Sequence, residues 1–354
     1  MRNDTAPTQA QPDADDAAPR RSSRTRSILF SALWAAHWVP RIWLAGYLLI
    51  YGWSKVYLIQ MGSADFSDAL VQYGEMSPMG VLWRFMAFSP TVQVLAGLAE
   101  VLAAVLLLFR RTVWLGALLA VVDMSVVFLL NLTFDVPVKQ LSGIMAVAGL
   151  VLLAPNLIRL GRFLLGLPTG RPVHGRISSN RIFVAITRWT SPALALLLII
   201  GSGVAFGLRA NWGQLDPVPA VAGVYRATDS GSRTLKGAEI SQVAFGQNAV
   251  DGRARLSIRF VDGSFQDGRY TAGNGGSLSD ESGRLDVTLF PKLDGDQGLV
   301  RDPVLETTLD YAIDSSGQVR LTGDGLDVTL VTDPERRYLF DREFSWEPSE
   351  PINR

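Results

Sequence analysis

The stretch GLAEVLAAVLLLF, Gly97 to Phe109, is hydrocarbon except for Glu100. Two other ionisable residues share its predicament. Asp123 lies in Val121–Val122–Asp123–Met124–Ser125, and Lys55 ends Tyr51–Gly52–Trp53–Ser54–Lys55. An ionisable group in mid-membrane costs at least about 2.5–3.5 kcal/mol on insertion scales, so each needs a role. Two carboxylates at similar depth on neighbouring antiparallel helices cannot both stay ionised cheaply, and one would hold a proton near neutral pH. Lys55 would reach down as a partner for one of them. Such a cluster could exchange protons with a bound quinone or relay them through part of a membrane. The same residues would also serve as plain polar contacts holding helices in register, with Gly97, Gly116 and Gly143 allowing close approach.

A second polar group follows in Asn131–Leu132–Thr133–Phe134–Asp135–Val136–Pro137–Val138–Lys139. Between two apolar runs, this segment places Asn131, Asp135 and Lys139 at a water interface. They would form either a rim over the helices or an ordinary solvated turn broken by Pro137. The candidates for ligand binding or proton relay are therefore Lys55, Glu100, Asp123, Asn131, Asp135 and Lys139. No residue is assigned a catalytic step, and no metal site is expected.

Four apolar runs must position these side chains, at about 41–60, 90–109, 112–131 and 141–157, each near the roughly 20 residues that cross a bilayer. Ser89 and Pro90 read as cap and first residue of the second helix. A fifth run, about 190–208, follows an arginine-rich connector. Residues 1–26 are rich in Ala, Pro, Asp and Arg and read as a disordered tail. The next residues, with Trp34, His37 and Trp38, would lie at the bilayer surface. Segment 62–88 suggests short helices there too. Arginines concentrate in the tail, at Arg110–Arg111 and in the 158–188 connector, which predicts a cytoplasmic N-terminus. Five spans then leave the C-terminal region on the other side.

From about residue 215 the pattern alternates with period two. Leu256, Ile258 and Phe260 share one face, as do Leu285, Val287 and Leu289, and Leu326, Val328 and Leu330. Asp262–Gly263, Asp294–Gly295 and Asp324–Gly325 punctuate the runs as turns. This predicts a small antiparallel β-barrel or sandwich. The expected organisation is a tail (1–26), a four-helix bundle (27–166), a connector (167–188), a fifth transmembrane helix (189–209) and a β-domain (215–354).

Composition narrows the chemistry. The 354 residues contain no cysteine, which removes disulfides, thiolate metal sites and thiol redox steps by this chain. Only two histidines occur, so a haem or copper centre built from this chain alone is not expected. Lys plus Arg balances Asp plus Glu at 33 each, so net charge provides no drive toward nucleic acid.

The helical part resembles the DoxX-like family of small bacterial membrane proteins. The likeness rests on Arg41–Ile42–Trp43–Leu44–Ala45–Gly46 leading to Tyr51–Gly52–Trp53–Ser54–Lys55, on Gly97 and Glu100, on Asp135–Val136–Pro137–Val138–Lys139, and on Leu153–Ala154–Pro155–Asn156–Leu157–Ile158–Arg159–Leu160. The ending Phe344 to Arg354 is similar to members carrying an appended β-domain. Gly223–Val224–Tyr225 resembles the opening of lipocalin-type barrels. The resemblance implies a four-helix bundle in the bacterial inner membrane. Relatives include a small subunit of an archaeal terminal quinol oxidase, and others linked to electron transfer or disulfide metabolism.

The expected function is therefore an accessory subunit of a quinone-linked oxidoreductase or respiratory complex, not catalytic alone. It would have no intrinsic cofactor, a bound quinone or lipid in the bundle, and a redox enzyme as protein partner. The alternative is a non-catalytic envelope scaffold or ligand-binding protein presenting an extracytoplasmic β-barrel that takes an apolar ligand or another protein. Trp346 is expected to anchor the C-terminus across a barrel end, with Arg354 capping it.

Overall fold

A computed structural model describes residues 28–170, 180–212, 215–273, 275–291, 302–342, 346–347 and 350. Five helices are long and apolar enough to cross a membrane: Ile28–Val56, Pro90–Leu108, Val113–Thr133, Lys139–Leu164 and Arg181–Ala210. They make this a membrane protein. The tail 1–26 lies outside the described residues.

Three spans are longer than the apolar runs suggest. The first begins at Ile28, because Leu29, Phe30 and Leu33 continue its hydrocarbon, and a single turn at His37 precedes Pro40. Proline near a helix start lacks only an N–H that would have no intrahelical partner. The fourth span passes through a 3-10 turn, Ala154–Asn156, and resumes to Leu164. The fifth starts at Arg181, inside the expected connector, because Asn180 caps it: Oδ1 accepts from the Ile182 amide at 2.9 Å. The second span opens at Pro90 as expected, with the Ser89 hydroxyl accepting from the Val92 amide at 3.4 Å.

The chain divides into two compact units. The helical unit comprises residues 1–53, 98–131 and 137–203. Its apolar core gathers Leu44, Leu48, Leu107, Met124, Met145 and Leu152. Gly116 lets the second and third spans touch through their backbones, since a Cβ there would come within 2.5 Å of the Leu107 nitrogen. Gly143 packs under the Phe128 ring in the same way.

The other unit comprises residues 54–97, 132–136 and 204–354. Its centre is a closed antiparallel barrel built from β1 (Gly223–Ser232), β3 (Ala238–Phe245), β4 (Arg253–Phe260), β5 (Phe265–Ala272), β6 (Ser282–Leu289), β7 (Leu305–Ile313), β8 (Val319–Gly323) and β9 (Leu326–Thr332). Consecutive strands pair around the sheet, and β1 closes it against both β9 and β3. A two-residue β2 (Thr234–Leu235) joins β3. The nine alternating apolar residues picked out in the sequence all belong to one interior core with Tyr225, Phe245 and Tyr270. Side chains thus fill the barrel, as its narrow bore allows. Asp324 and Gly325 both adopt positive φ between β8 and β9, the geometry a two-residue hairpin requires. Asp294–Gly295 lies outside the described residues.

Segment 62–88 forms two 3-10 turns, Phe66–Asp68 and Tyr73–Glu75, and a helix, Pro78–Phe88. The first turn packs on β1, β3 and β4. Leu70, with Phe66, Ala69 and Val71 around it, covers Val224, Ala244 and Phe265 in a second small core. The C-terminal expectation fails at Trp346, which is 91% exposed and so does not bury its ring across a barrel end. Arg354 lies outside the described residues.

Candidate functional site

In the helical unit the site is built around Glu100. The second span carries it one turn before Ala103 and Ala104, two fully buried small residues, and its side chain is 1% exposed. On the first span, Trp43, Tyr47 and Tyr51 recur every four residues and so lie along one face. Their rings touch in sequence, with centroids 5.1 Å apart for Trp43–Tyr47 and 6.4 Å for Tyr47–Tyr51. Glu100 lies within electrostatic reach of the Tyr51 phenol. A carboxylate within electrostatic reach of a phenol in an apolar bundle can hold or exchange a proton, and it can bind a polar head on an otherwise apolar ligand. The sequence reading missed the aromatic ladder, although its spacing of four was the available signal.

Asp123 is half-buried on the third span. Asn131, on the same span, donates from Nδ2 to the Ser142 hydroxyl on the fourth at 3.1 Å. Ser142 in turn donates to the Lys139 carbonyl at 2.9 Å. Asn131 therefore ties two spans together, and Lys139 joins through its backbone at the first turn of the fourth. Lys55 and Asp135 belong to the unit that contains the barrel. Lys55 is buried, whereas Asp135 is exposed with φ +51°, a turn residue in the left-handed region. Asn and Asp tolerate that region best among non-glycine residues.

Further polar contacts pin the first span. His37 Nε2 meets the Leu152 carbonyl at 3.2 Å, Trp53 Nε1 donates to Ser202 Oγ at 3.1 Å, and Arg41 Nε donates to the Leu107 carbonyl. The Arg41 guanidinium also lies 4.0 Å from the Trp38 ring centroid. The first span is thereby fastened to the fourth, the fifth and the second.

The barrel-containing unit holds a second polar constellation, between segment 61–88 and the barrel exterior. Asp65 is buried; Oδ1 accepts from the Ser67 amide at 2.9 Å and Oδ2 from the Asn248 amide at 3.1 Å. Gln247 accepts from the Phe66 amide and donates to the Ala64 carbonyl, at 2.6 and 3.1 Å. Asp68 takes the Arg255 fork at 3.1 and 3.2 Å and Arg84 Nη2 at 3.0 Å. Arg259 clasps both oxygens of Glu75 at 2.6 Å and also donates to the Leu70 and Gly263 carbonyls. Those hydrogen bonds hold the Glu75 carboxyl below the usual carboxylate range. Gly246 is required here, because a Cβ would come within 2.4 Å of Asp65 Oδ1. All carboxylates of this clasp are paired or capped, so it reads as fastening and not as chemistry. The partners that join it to the barrel lie more than 180 residues away, and no local pattern announces them.

No family model matches the chain, and no solved structure does. A curated relative, the uncharacterized protein YwoB of Bacillus subtilis (strain 168), is 34% identical over 113 residues, which are 32% of this chain and 71% of that protein. The chain belongs to the family of YwoB.

Proposed function

We propose that this protein is a DoxX-like accessory subunit of a quinone-linked oxidoreductase in the bacterial inner membrane, its helical unit binding a quinone beside Glu100. One observation carries the reading: a carboxylate 1% exposed, in an apolar helical unit, within reach of the Tyr51 phenol. A quinone presents an apolar tail and two carbonyl oxygens, and a protonated carboxyl or a phenol suits those oxygens as a donor. Electron transfer belongs to a partner enzyme, since the chain has no cysteine. The arginine-rich ends favour a cytoplasmic N-terminus and an extracytoplasmic β-domain.

Solvent extraction of the detergent-purified protein tests this. A stoichiometric quinone is expected from the native chain, with at least a tenfold loss in Glu100→Gln and a smaller loss in Asp123→Asn. Unchanged quinone content and unchanged quinol-dependent respiration in Glu100→Gln would end the redox reading. The second reading, an envelope scaffold presenting the barrel, is favoured by the filled barrel interior and the clasp. It requires protein partners captured through the barrel surface and no quinone in the extract.

A further inference from the structure

At the arginine-rich end of the helical unit, a groove of 970 Å³ opens between the first span, the Leu108–Arg110 corner and the fifth span. Its wall on the fifth span changes character along one helical face. Arg181 comes first, followed by Phe183, Val184 and Ala185, then a polar stretch of Thr187, Arg188, Thr190 and Ser191, and then an apolar end of Leu194, Ala195 and Leu198. From Arg181 to Leu198 the face runs about 25 Å at the α-helical rise. Half a bilayer, headgroups included, measures about 20–22 Å. Arg110 and Trp38 close the charged end, and no Asp or Glu lines the groove among the described residues.

A second observation points to an anion. Arg41, adjacent to the groove residue Ile42 and one turn from Trp38, is 4% exposed. Its Nη2 has no hydrogen-bond partner among the described residues, and it lies within electrostatic reach of Arg110. A buried guanidinium with an unsatisfied donor and a second cation within electrostatic reach is stabilised by a negative charge nearby. Arginines and hydroxyls at one end of the wall and a wholly apolar end at Leu194, Ala195 and Leu198 match the polar head and the acyl chain of one anionic lipid.

We propose that this groove binds one anionic phospholipid, its phosphate among Arg110, Arg181 and Arg188 and an acyl chain along Leu194 and Leu198. The site involves neither Glu100 nor Tyr51, so the quinone reading can fail without affecting it.

Native mass spectrometry of the full chain in detergent, titrated with phosphatidylglycerol, phosphatidylcholine or inorganic phosphate, tests the proposal. The native chain is expected to retain one phosphatidylglycerol at least tenfold more tightly than phosphatidylcholine, and to show no response to millimolar inorganic phosphate. Arg110→Gln, Arg181→Gln and Arg188→Gln together are expected to lower that affinity roughly 100-fold. Arg110→Lys, Arg181→Lys and Arg188→Lys together should keep it within about tenfold. Leu194→Trp fills the apolar end without touching the charge, is expected to cost about tenfold, and carries the test if the triple Gln protein does not fold. Equal retention of both lipids, an equal response to inorganic phosphate, loss of the preference in a folded triple Lys protein, or full phosphatidylglycerol affinity in Leu194→Trp would each overturn the assignment.

Discussion

In the helical unit, Asn131 meets Ser142, and Arg41 and His37 meet backbone carbonyls of neighbouring helices. In the barrel-containing unit, Arg259 and Arg255 meet carboxylates as two-pronged forks, and Asp65 caps two amides. The difference follows from the surroundings. An isolated helix in lipid already satisfies its own backbone, so a few single hydrogen bonds between helices suffice to set register. A loop in water has no such satisfaction, and its amides, carbonyls and carboxylates need partners once it is pressed against the barrel. The barrel also separates roles cleanly: an interior closed with Phe245, Tyr270 and leucines, and an exterior face given over to holding segment 61–88.

Breaking the clasp should produce the largest effect. Arg259→Ala leaves the partly exposed Glu75 carboxylate and the Leu70 carbonyl without their donor, and a destabilisation of about 2.5 kcal/mol is expected, within the range for hydrogen bonds to charged groups. Chemical denaturation of the full chain in detergent, with limited proteolysis of segment 62–88, measures it. A loss under 1 kcal/mol would mean that Leu70 and its apolar neighbours hold the segment alone. Gly246→Ala should cost about 2 kcal/mol by forcing Asp65 away from its amides. The same assay reads it, and the protein should regain stability when Asp65→Ala is added.

In the helical unit, Asn131→Leu should cost only about 0.6 kcal/mol, the average for a hydrogen bond between membrane helices. A cost equal to that of Arg259→Ala would erase the contrast between the two units. The smallest expected effect is pH-dependent. Because Arg259 depresses the folded-state pKa of Glu75, the clasp contributes fully above the ordinary carboxylate range and is lost as pH falls through the lowered value. Protease cleavage within 62–88 should rise in that acid window in the native chain, and Glu75→Gln should remove the step. An unchanged profile would assign the acid response to other carboxylates.

Much of the architecture was legible because it repeats. Hydrocarbon runs near 20 residues announce spans, and Leu256, Ile258 and Phe260 announce a strand with one buried face, each by a period that needs no partner to be read. Span ends were less legible: capping by Asn180 and the turn at His37 depend on one residue each. Of the candidate site, the burial of Glu100 could be anticipated from its setting, whereas Asn131, expected at a water interface, is buried and donates to Ser142, a partner on another span that no local pattern names. Asp135 turned out to be an exposed turn residue.

By itself the sequence determined which segments are apolar enough to enter a membrane and which alternate as strands, because hydropathy and periodicity are local properties. Only the tertiary structure decided that Asp65, Asp68 and Glu75 belong with Gln247, Asn248, Arg255 and Arg259, and that arginines at 110, 181 and 188 line one groove with Leu194. Those groupings depend on chain segments distant in sequence meeting at hydrogen-bond or packing distance, and no interval along the chain encodes that distance.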